Sequence, residues 1–250
     1  MAPVASFHLT RERTTGSVAT MAAMLRPGRL APSVDGLRFA RRLGTGRGRA
    51  MGVQADLRRW ALFAVWEDEG ALDAFLGDHP LPRRWRERSA ETWAVRLAPL
   101  AAHGTWGGTD PLAGLDDVAA HRLALLPGPV AVLTRATVPV RHWRSFHRAV
   151  PAVERQLLAA DGLLEAAGVG ERPVGSLATF SLWRSPDDVD AFAYGGSDHK
   201  RVVLATRRGG WFSEELFARF RPYGSTGTWT GRDPLEAAAT AGPVAAGNGS

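Results

Sequence analysis

The chain has no cysteine at all, one lysine (Lys200) among its 31 basic residues, and only two tyrosines in 250 residues. Without cysteine there can be no disulfide, no thiolate ligand to a metal and no cysteine nucleophile. No apolar run approaches the ~20 residues that a membrane-spanning helix needs. The opening segment Met1–His8 lacks a basic region followed by an apolar stretch, so no signal peptide is expected and the reading is cytoplasmic. The near-absence of lysine also qualifies the charge. A net charge of +6 and a pI near 10.9 reflect arginine in lysine's place, and the pairs Arg41-Arg42, Arg58-Arg59, Arg83-Arg84 and Arg207-Arg208 are scattered between acidic neighbours. That pattern is a solvated surface rather than a nucleic-acid stripe, and its remaining use is to dock an acidic partner. Equally missing are a His-Glu-x-x-His pair, a Gly-x-Ser-x-Gly elbow, a Walker loop and a Gly-x-Gly-x-x-Gly fingerprint.

What is present is a repeat. Gly104-Thr105-Trp106-Gly107-Gly108-Thr109-Asp110-Pro111-Leu112 returns as Gly227-Thr228-Trp229-Thr230-Gly231-Arg232-Asp233-Pro234-Leu235. Extended backwards without a gap, Glu91–Leu112 and Glu214–Leu235 share ten of twenty-two residues: Glu91/Glu214, Arg96/Arg219, Pro99/Pro222 and seven in the closing motif. Chance gives about one or two, because common residues each run at about 5–10 %. Upstream, Val65-Trp66 echoes Leu182-Trp183, and Asp73-Ala74-Phe75 echoes Asp190-Ala191-Phe192. A period near 120 residues is too long for a solenoid and implies a duplicated domain.

Each half reads as strand, helix, strand, strand, helix, strand, the ferredoxin-like order. In the second half Pro129–Val138 is a strand, Arg141–Ala160 a helix through Trp143, Phe146, Val150, Val153 and Leu157, and Leu163–Val169 a short strand. Gly175–Trp183 alternates, with Ala178, Phe180 and Leu182 on one side and Leu177, Thr179, Ser181 and Trp183 on the other. Ser185-Pro186-Asp187-Asp188 opens a helix, and Glu214–Arg221 leads into the Gly-Thr-Trp segment as a terminal strand. The first half follows with strands over Val4–Leu9, Leu37–Leu43 and Arg59–Trp66 and helices over Gly16–Leu25 and Glu69–Leu76. The expected fold is α+β: tandem ferredoxin-like repeats packed sheet to sheet as a fused dimeric α/β barrel, with an apolar cavity between the sheets. The divisions are an N-terminal half over 1–112, a linker over 113–128, a C-terminal half over 129–235 and a disordered tail over 236–250.

Of seven histidines, His199 has the most chemical promise. Asp198 is a good helix cap, and Val202 and Val203 lie three and four residues beyond His199, so its imidazole shares the apolar face of that helix. The N-terminal macrodipole keeps such a ring neutral and able to bind a metal; the alternative is a satisfied core-edge histidine. His79 has the same Gly-Asp-His context but is followed by Pro80, and His142 and His147, five apart, point to different helix faces. Gly44-Thr45-Gly46-Arg47-Gly48 lacks the ending of a phosphate loop, and its echo in Gly168-Val169-Gly170 marks a shared turn between strands. Trp66/Trp183 and Trp106/Trp229 recur between the halves and read as core. Trp60, Trp143 and Trp211 do not recur and are the pocket-lining candidates.

Several segments together resemble the bacterial spheroidene monooxygenase family over nearly the whole chain, about Val4 to Leu235. They are Leu37-Arg38-Phe39 with Leu43-Gly44-Thr45-Gly46-Arg47, Asp56–Leu62, Phe180-Ser181-Leu182-Trp183, Gly210–Phe220 and the closing Gly-Thr-Trp…Asp-Pro-Leu. The resemblance implies a haem-containing oxygenase, unrelated to P450, that inserts oxygen into carotenoid C–H bonds with O2 and external electrons. It implies haem b held against one lobe by a histidine, because a chain without cysteine cannot offer a thiolate. His199 is then the metal ligand, Lys200 and Arg201 meet the propionates, Trp211 lines the cofactor site, and His147 is the second choice of ligand. The expected partners are O2, an apolar small-molecule substrate and a ferredoxin-type electron donor. Two other readings stay open: a cofactor-independent oxygenase on the same barrel, and a non-catalytic protein that binds haem or an apolar ligand.

Overall fold

In the computed structural model, which describes residues 2–13, 34–46, 55–171, 175–195 and 211–240, the alternation along Gly175–Trp183 separates two cores. Ala178, Phe180 and Leu182 point into one apolar interior, whereas Trp183 and Leu177 join separate clusters on the other face of the same strand. A strand sends successive side chains to opposite sides, so eight such strands can enclose one core and support others outside it.

In chain order the elements are β1 (Val4–Glu12), β2 (Leu37–Gly46), β3 (Ala55–Trp66), α1 (Glu69–Asp78), α2 (Pro80–Arg88), β4 (Ser89–Gly104), α3 (Asp117–Ala124), β5 (Val130–Thr137), α4 (Val140–Leu158), β6 (Leu163–Gly170), β7 (Ser176–Trp183), α5 (Pro186–Gly195), β8 (Glu214–Gly227) and α6 (Pro234–Thr240). The strands form a closed barrel in the order β1-β3-β2-β6-β7-β5-β8-β4, every neighbouring pair antiparallel. This is an α+β architecture. Two seams join the strands of the first half to those of the second: a long one in which β4 runs beside β8 from Trp93/Gly227 to Gly104/Leu216, and a short one of Gly44/Gly170 and Thr45/Val169. The two Gly-rich segments expected to be turns are therefore strand ends that pair with each other. Closure leaves no free edge to aggregate.

The barrel interior is filled. Phe7 and Phe180 stack at 3.9 Å, Trp93 and Trp229 lie 5.1 Å apart, and Phe63 stacks on Trp106 at 5.9 Å. The apolar cavity expected between the sheets is replaced by these rings, because aromatics on both inner faces meet across the middle.

The two copies of the Gly-Thr-Trp segment follow the last strand of their half and make the same tight turn, closed by Trp106/Thr109 and Trp229/Arg232 bridges. Each is clasped by the other half. Glu214 accepts from the Thr105 hydroxyl at 3.0 Å and the Gly108 N–H at 2.7 Å; Glu91 accepts from Thr228 at 3.2 Å and Gly231 at 2.7 Å. Only glycine fits at the entry to either turn. Gly104 and Gly227 have φ of 99° and 83°, and a Cβ would strike the carbonyl oxygens of Glu215 and Thr92 respectively.

Outside the barrel, Leu62, Ala64 and Trp66 pack under α1, with Leu81 and Trp85 of α2 against the same cluster, and Val130, Val132 and Trp183 pack under the end of α4 and under α5. Ser185 caps α5 as expected, accepting from the Asp188 N–H at 3.2 Å. The expected linker 113–128 contains α3, tied to β8 by the Arg221 guanidinium, which donates to the carbonyls of Leu123, Leu126 and Pro129. The first residues of the expected tail belong to α6, which spans Pro234–Thr240, and residues 241–250 lie outside the described residues. The Gly16–Leu25 helix lies outside the described residues.

Candidate active site

The halves differ most on the outer faces of their sheets. One row crosses β6, β7, β5 and β8 of the C-terminal half as Gly168, Thr179, Thr134 and Phe217 and reaches His103 on β4 across the seam. The flanking Leu133, Phe180 and Ala218 point inward, so this row faces out. Thr134 is exposed although its strand has neighbours on both sides, and Phe217 is 37 % exposed.

The corresponding row of the N-terminal half is Leu62, His8 and Ala94, and it is sealed. His8 is 3 % exposed, meeting Phe75 edge-on at 6.0 Å and Trp85 at 5.6 Å. Its Nε2 lies 3.0 Å from the Ser6 hydroxyl, which accepts from Trp66 Nε1–H at 2.9 Å. That second bond uses an oxygen lone pair, so the Ser6 proton is free to go to Nε2 of a neutral ring. Burial pushes the His8 pKa down to about 4. A histidine whose folded pKa lies below its unfolded value of about 6.5 stabilises the fold above that value. Stability is therefore expected to fall by roughly 3 kcal/mol as pH drops from about 6.5 to 4, and His8→Leu to remove that slope in urea unfolding; an unchanged slope would show that His8 is charged in the fold. Beside His8 is a cavity of about 110 Å³ lined in part by Ser6, Leu72, Arg96, Ser225 and Thr226. Sites for ligands of cofactor size run about 300–1,000 Å³, so this void is too small for one.

The open row of the C-terminal half has a wall beside it. Val138, Phe146 and Val150 form a buried cluster against which Trp143, Leu177, Trp211 and Phe212 pack. Leu177 sits two residues before Thr179 on the outward face of β7, which brings the wall to the edge of the row. Phe146 meets Phe212 at 6.0 Å, and the half-buried His147 ring stands edge-on to Trp143 at 4.4 Å. The wall exists because α4 carries Trp143, Phe146 and Val150 at helical spacing.

Trp143 and Trp211 pack against the same cluster. Trp60 does not join them: it lies on β3 opposite Thr10 and Gly44. His79 caps α2, its Nδ1 accepting from the Leu81 N–H at 3.2 Å, so the Pro80 that follows opens a helix rather than preventing one. His199, Lys200 and Arg201 lie outside the described residues. Among the described residues no group of three or more acidic or imidazole side chains is arranged to hold a metal ion. Thr134, Thr179 and Phe217 were not legible as site residues, because nothing local in the sequence marks a strand position that a helix leaves uncovered.

An antiparallel α+β barrel closed on an aromatic interior, with one outer face sealed and the other lined by an apolar wall, defines a single-chain barrel protein whose candidate site lies on the sheet exterior. A crystal structure of aldoxime dehydratase shares the fold, with a TM-score of 0.55 at 12 % identity over 88 % of this chain and 81 % of that one. No family model matches the chain. It is 35 % identical over 237 residues to the spheroidene monooxygenase of Rhodobacter capsulatus, covering 93 % of this chain and 95 % of that protein. It is 38 % identical over 198 residues to that of Rubrivivax gelatinosus, covering 79 % and 73 %. The chain belongs to the spheroidene monooxygenase family, and is an oxidoreductase of the monooxygenase kind.

Proposed function

We propose that this chain is a haem-dependent monooxygenase that oxidises an apolar, carotenoid-like substrate with O2 and two external electrons, one oxygen atom entering a C–H bond and the other leaving as water. Membership of the spheroidene monooxygenase family carries this reading. The barrel is then a fused pair of ferredoxin-like halves, consistent with the reciprocal Glu91 and Glu214 clasps, in which one half is sealed by His8 and the other has kept a site.

The donor set suits haem b. Without cysteine the iron ligand must come from imidazole or another weaker donor. The wall of Phe146, Val150, Leu177 and Phe212 offers an apolar flank, and Trp143 and Trp211 its rim. By the sequence pattern Asp198-His199 with Val202-Val203, His199 would be the ligand, with Lys200 and Arg201 next to it in sequence for the propionates, and His147 would be the second imidazole. Bound there, haem supplies the redox-active iron at which O2 is reduced. The protein's own share is to exclude water with the aromatic wall, to orient an apolar chain along Phe217, and to present the Thr134 hydroxyl as a hydrogen-bond donor in the middle of the face.

Protein expressed with haem supply is expected to show a Soret band, and His199→Ala to lose it with its fold intact. Absence of the band in the wild type would leave the cofactor-independent reading. A band surviving in His199→Ala but lost in His147→Ala would move the ligand to α4. A band without turnover of apolar substrate under O2 and reductant would leave a haem-binding protein.

A further inference from the structure

The solvent side of α4 is a row of exposed guanidinium groups. At about 100° per residue, Arg141, Arg144, Arg148 and Arg155 fall within an arc of roughly 60° on the side opposite Phe146, Val150 and Leu157, spread over about 21 Å of helix. All four are exposed. Arg141 bonds only the ring of the neighbouring His142, at 3.0 Å, and among the described residues none of the four makes an ion pair. With Glu154 as its one acid, α4 carries +3, half of the chain's net +6. Along one border of the row stand apolar side chains that face water: Val140, 84 % exposed, and Leu158, 41 % exposed, with Pro151 between them on the same line.

Helix α2 shows that this is not merely what an arginine-rich surface produces. It carries the same +3, from Arg83, Arg84, Arg86 and Arg88 less Glu87. Its arginines point around more than half the helix circumference, and Arg83 lies 4.0 Å from Glu87.

We propose that the outer face of α4 docks on an anionic lipid surface, the guanidinium groups on headgroup phosphates and Val140, Pro151 and Leu158 at the acyl boundary. Guanidinium matches phosphate in a two-pronged geometry, and a helix with a basic stripe bordered by apolar side chains lies in the plane of a bilayer interface. The choice of a lipid surface over an acidic protein rests on the proposed function: an apolar substrate is stored in lipid, and the inner side of the same helix builds the wall of the candidate site. Docking this face would set the wall one helix diameter, about 10 Å, from the lipid.

Partition is measured by co-sedimentation with vesicles of phosphatidylglycerol and phosphatidylcholine, against phosphatidylcholine alone, at about 0.15 M salt. Wild type is expected to bind the anionic vesicles at least ~10-fold more tightly than the neutral ones. Each arginine near a charged bilayer is worth about fivefold, so Arg144→Glu with Arg148→Glu is expected to lose ~25-fold or more, while Arg83→Glu with Arg84→Glu, the same charge change on α2, loses less than ~3-fold. Equal losses in the two pairs would reduce the effect to net charge and overturn the proposal. So would equal binding to the two kinds of vesicle, or intact vesicle binding in the α4 pair with slowed reduction by a ferredoxin. Thermal unfolding of both pairs confirms that these exposed substitutions leave the fold intact. Vesicle binding is read without turnover, so a protein that docks but shows no Soret band refutes the haem assignment alone.

Discussion

Glu214→Ala is expected to destabilise the protein by about 3–5 kcal/mol, whereas Glu91→Ala, the same change at the equivalent position of the other half, costs about 1–2 kcal/mol. Both carboxylates clasp the opposite Gly-Thr-Trp turn through a hydroxyl and a glycine N–H, and they differ in their arginine. Glu214 pairs with Arg135, whose side chain is 5 % exposed and whose other acidic partner, Glu171, lies 3.6 Å away. Glu91 pairs at 3.4 Å with Arg11, whose side chain is 43 % exposed. Deleting Glu214 leaves a buried cation short of a counter-charge, while deleting Glu91 returns Arg11 to water. Equal losses in urea unfolding would show that the turn bonds, rather than the buried charge, dominate.

The pH dependence separates the same contributions. Burial pushes the Glu214 carboxyl up, but the N–H groups of Gly108 and Gly107, the Arg135 guanidinium and the Thr105 hydroxyl outweigh it and hold the pKa at about 2. A carboxylate depressed in the fold stabilises above its unfolded pKa, near 4.5, and loses that contribution as pH falls toward 2. Wild type should therefore lose stability over that window relative to Glu214→Ala. Parallel curves would refute the assignment. Glu214→Gln, which keeps an acceptor for Thr105 and Gly108 but not the charge, should fall between wild type and alanine.

Phe180→Ala is expected to cost a further 3–5 kcal/mol by a different route, the opening of a cavity in the barrel. The ring is fully buried, stacked on Phe7 at 3.9 Å and within 6.3 and 6.4 Å of Trp93 and Trp229. Phe7 and Trp93 belong to two other strands of a closed sheet and Trp229 to a turn pinned by its bridge to Arg232, so none can collapse into the void without moving hydrogen-bonded backbone. Phe217→Ala, on the outer row, should change stability by less than about 1 kcal/mol while altering turnover of apolar substrate. A comparable loss of stability at the two positions would mean that the outer row belongs to the core and is not a site.

Much of this was legible in residue order. The alternation of Ala178, Phe180 and Leu182 against Leu177, Thr179 and Trp183 assigned both faces of β7 before any partner was known, because strand geometry is local. The helical spacing of Trp143, Phe146 and Val150 likewise marked the buried side of α4. What misled was pairing: Gly44-Thr45-Gly46 and Gly168-Val169-Gly170 look like turns one at a time, but each pairs with the neighbouring strand of its own half and the two pair with each other across some 125 residues. The filled interior was hidden for the same reason, since Phe7 and Phe180 are each an ordinary inward residue until closure stacks one on the other.

The sequence by itself determined the class of elements, the repeat, the family, and the exclusion of every chemistry that needs a thiolate. These follow from composition, short-range periodicity and similarity along the chain. Tertiary structure alone decided that the interior holds aromatic rings instead of a substrate, that Glu214 guards a buried arginine while Glu91 guards an exposed one, and that the open face belongs to the second half. Each of these depends on which side chains meet across the barrel or beneath a helix. His8 and Thr134 show the difference most plainly: they occupy the same place in their sheets, and only the helices packed above them make one a sealed core histidine and the other an exposed hydroxyl.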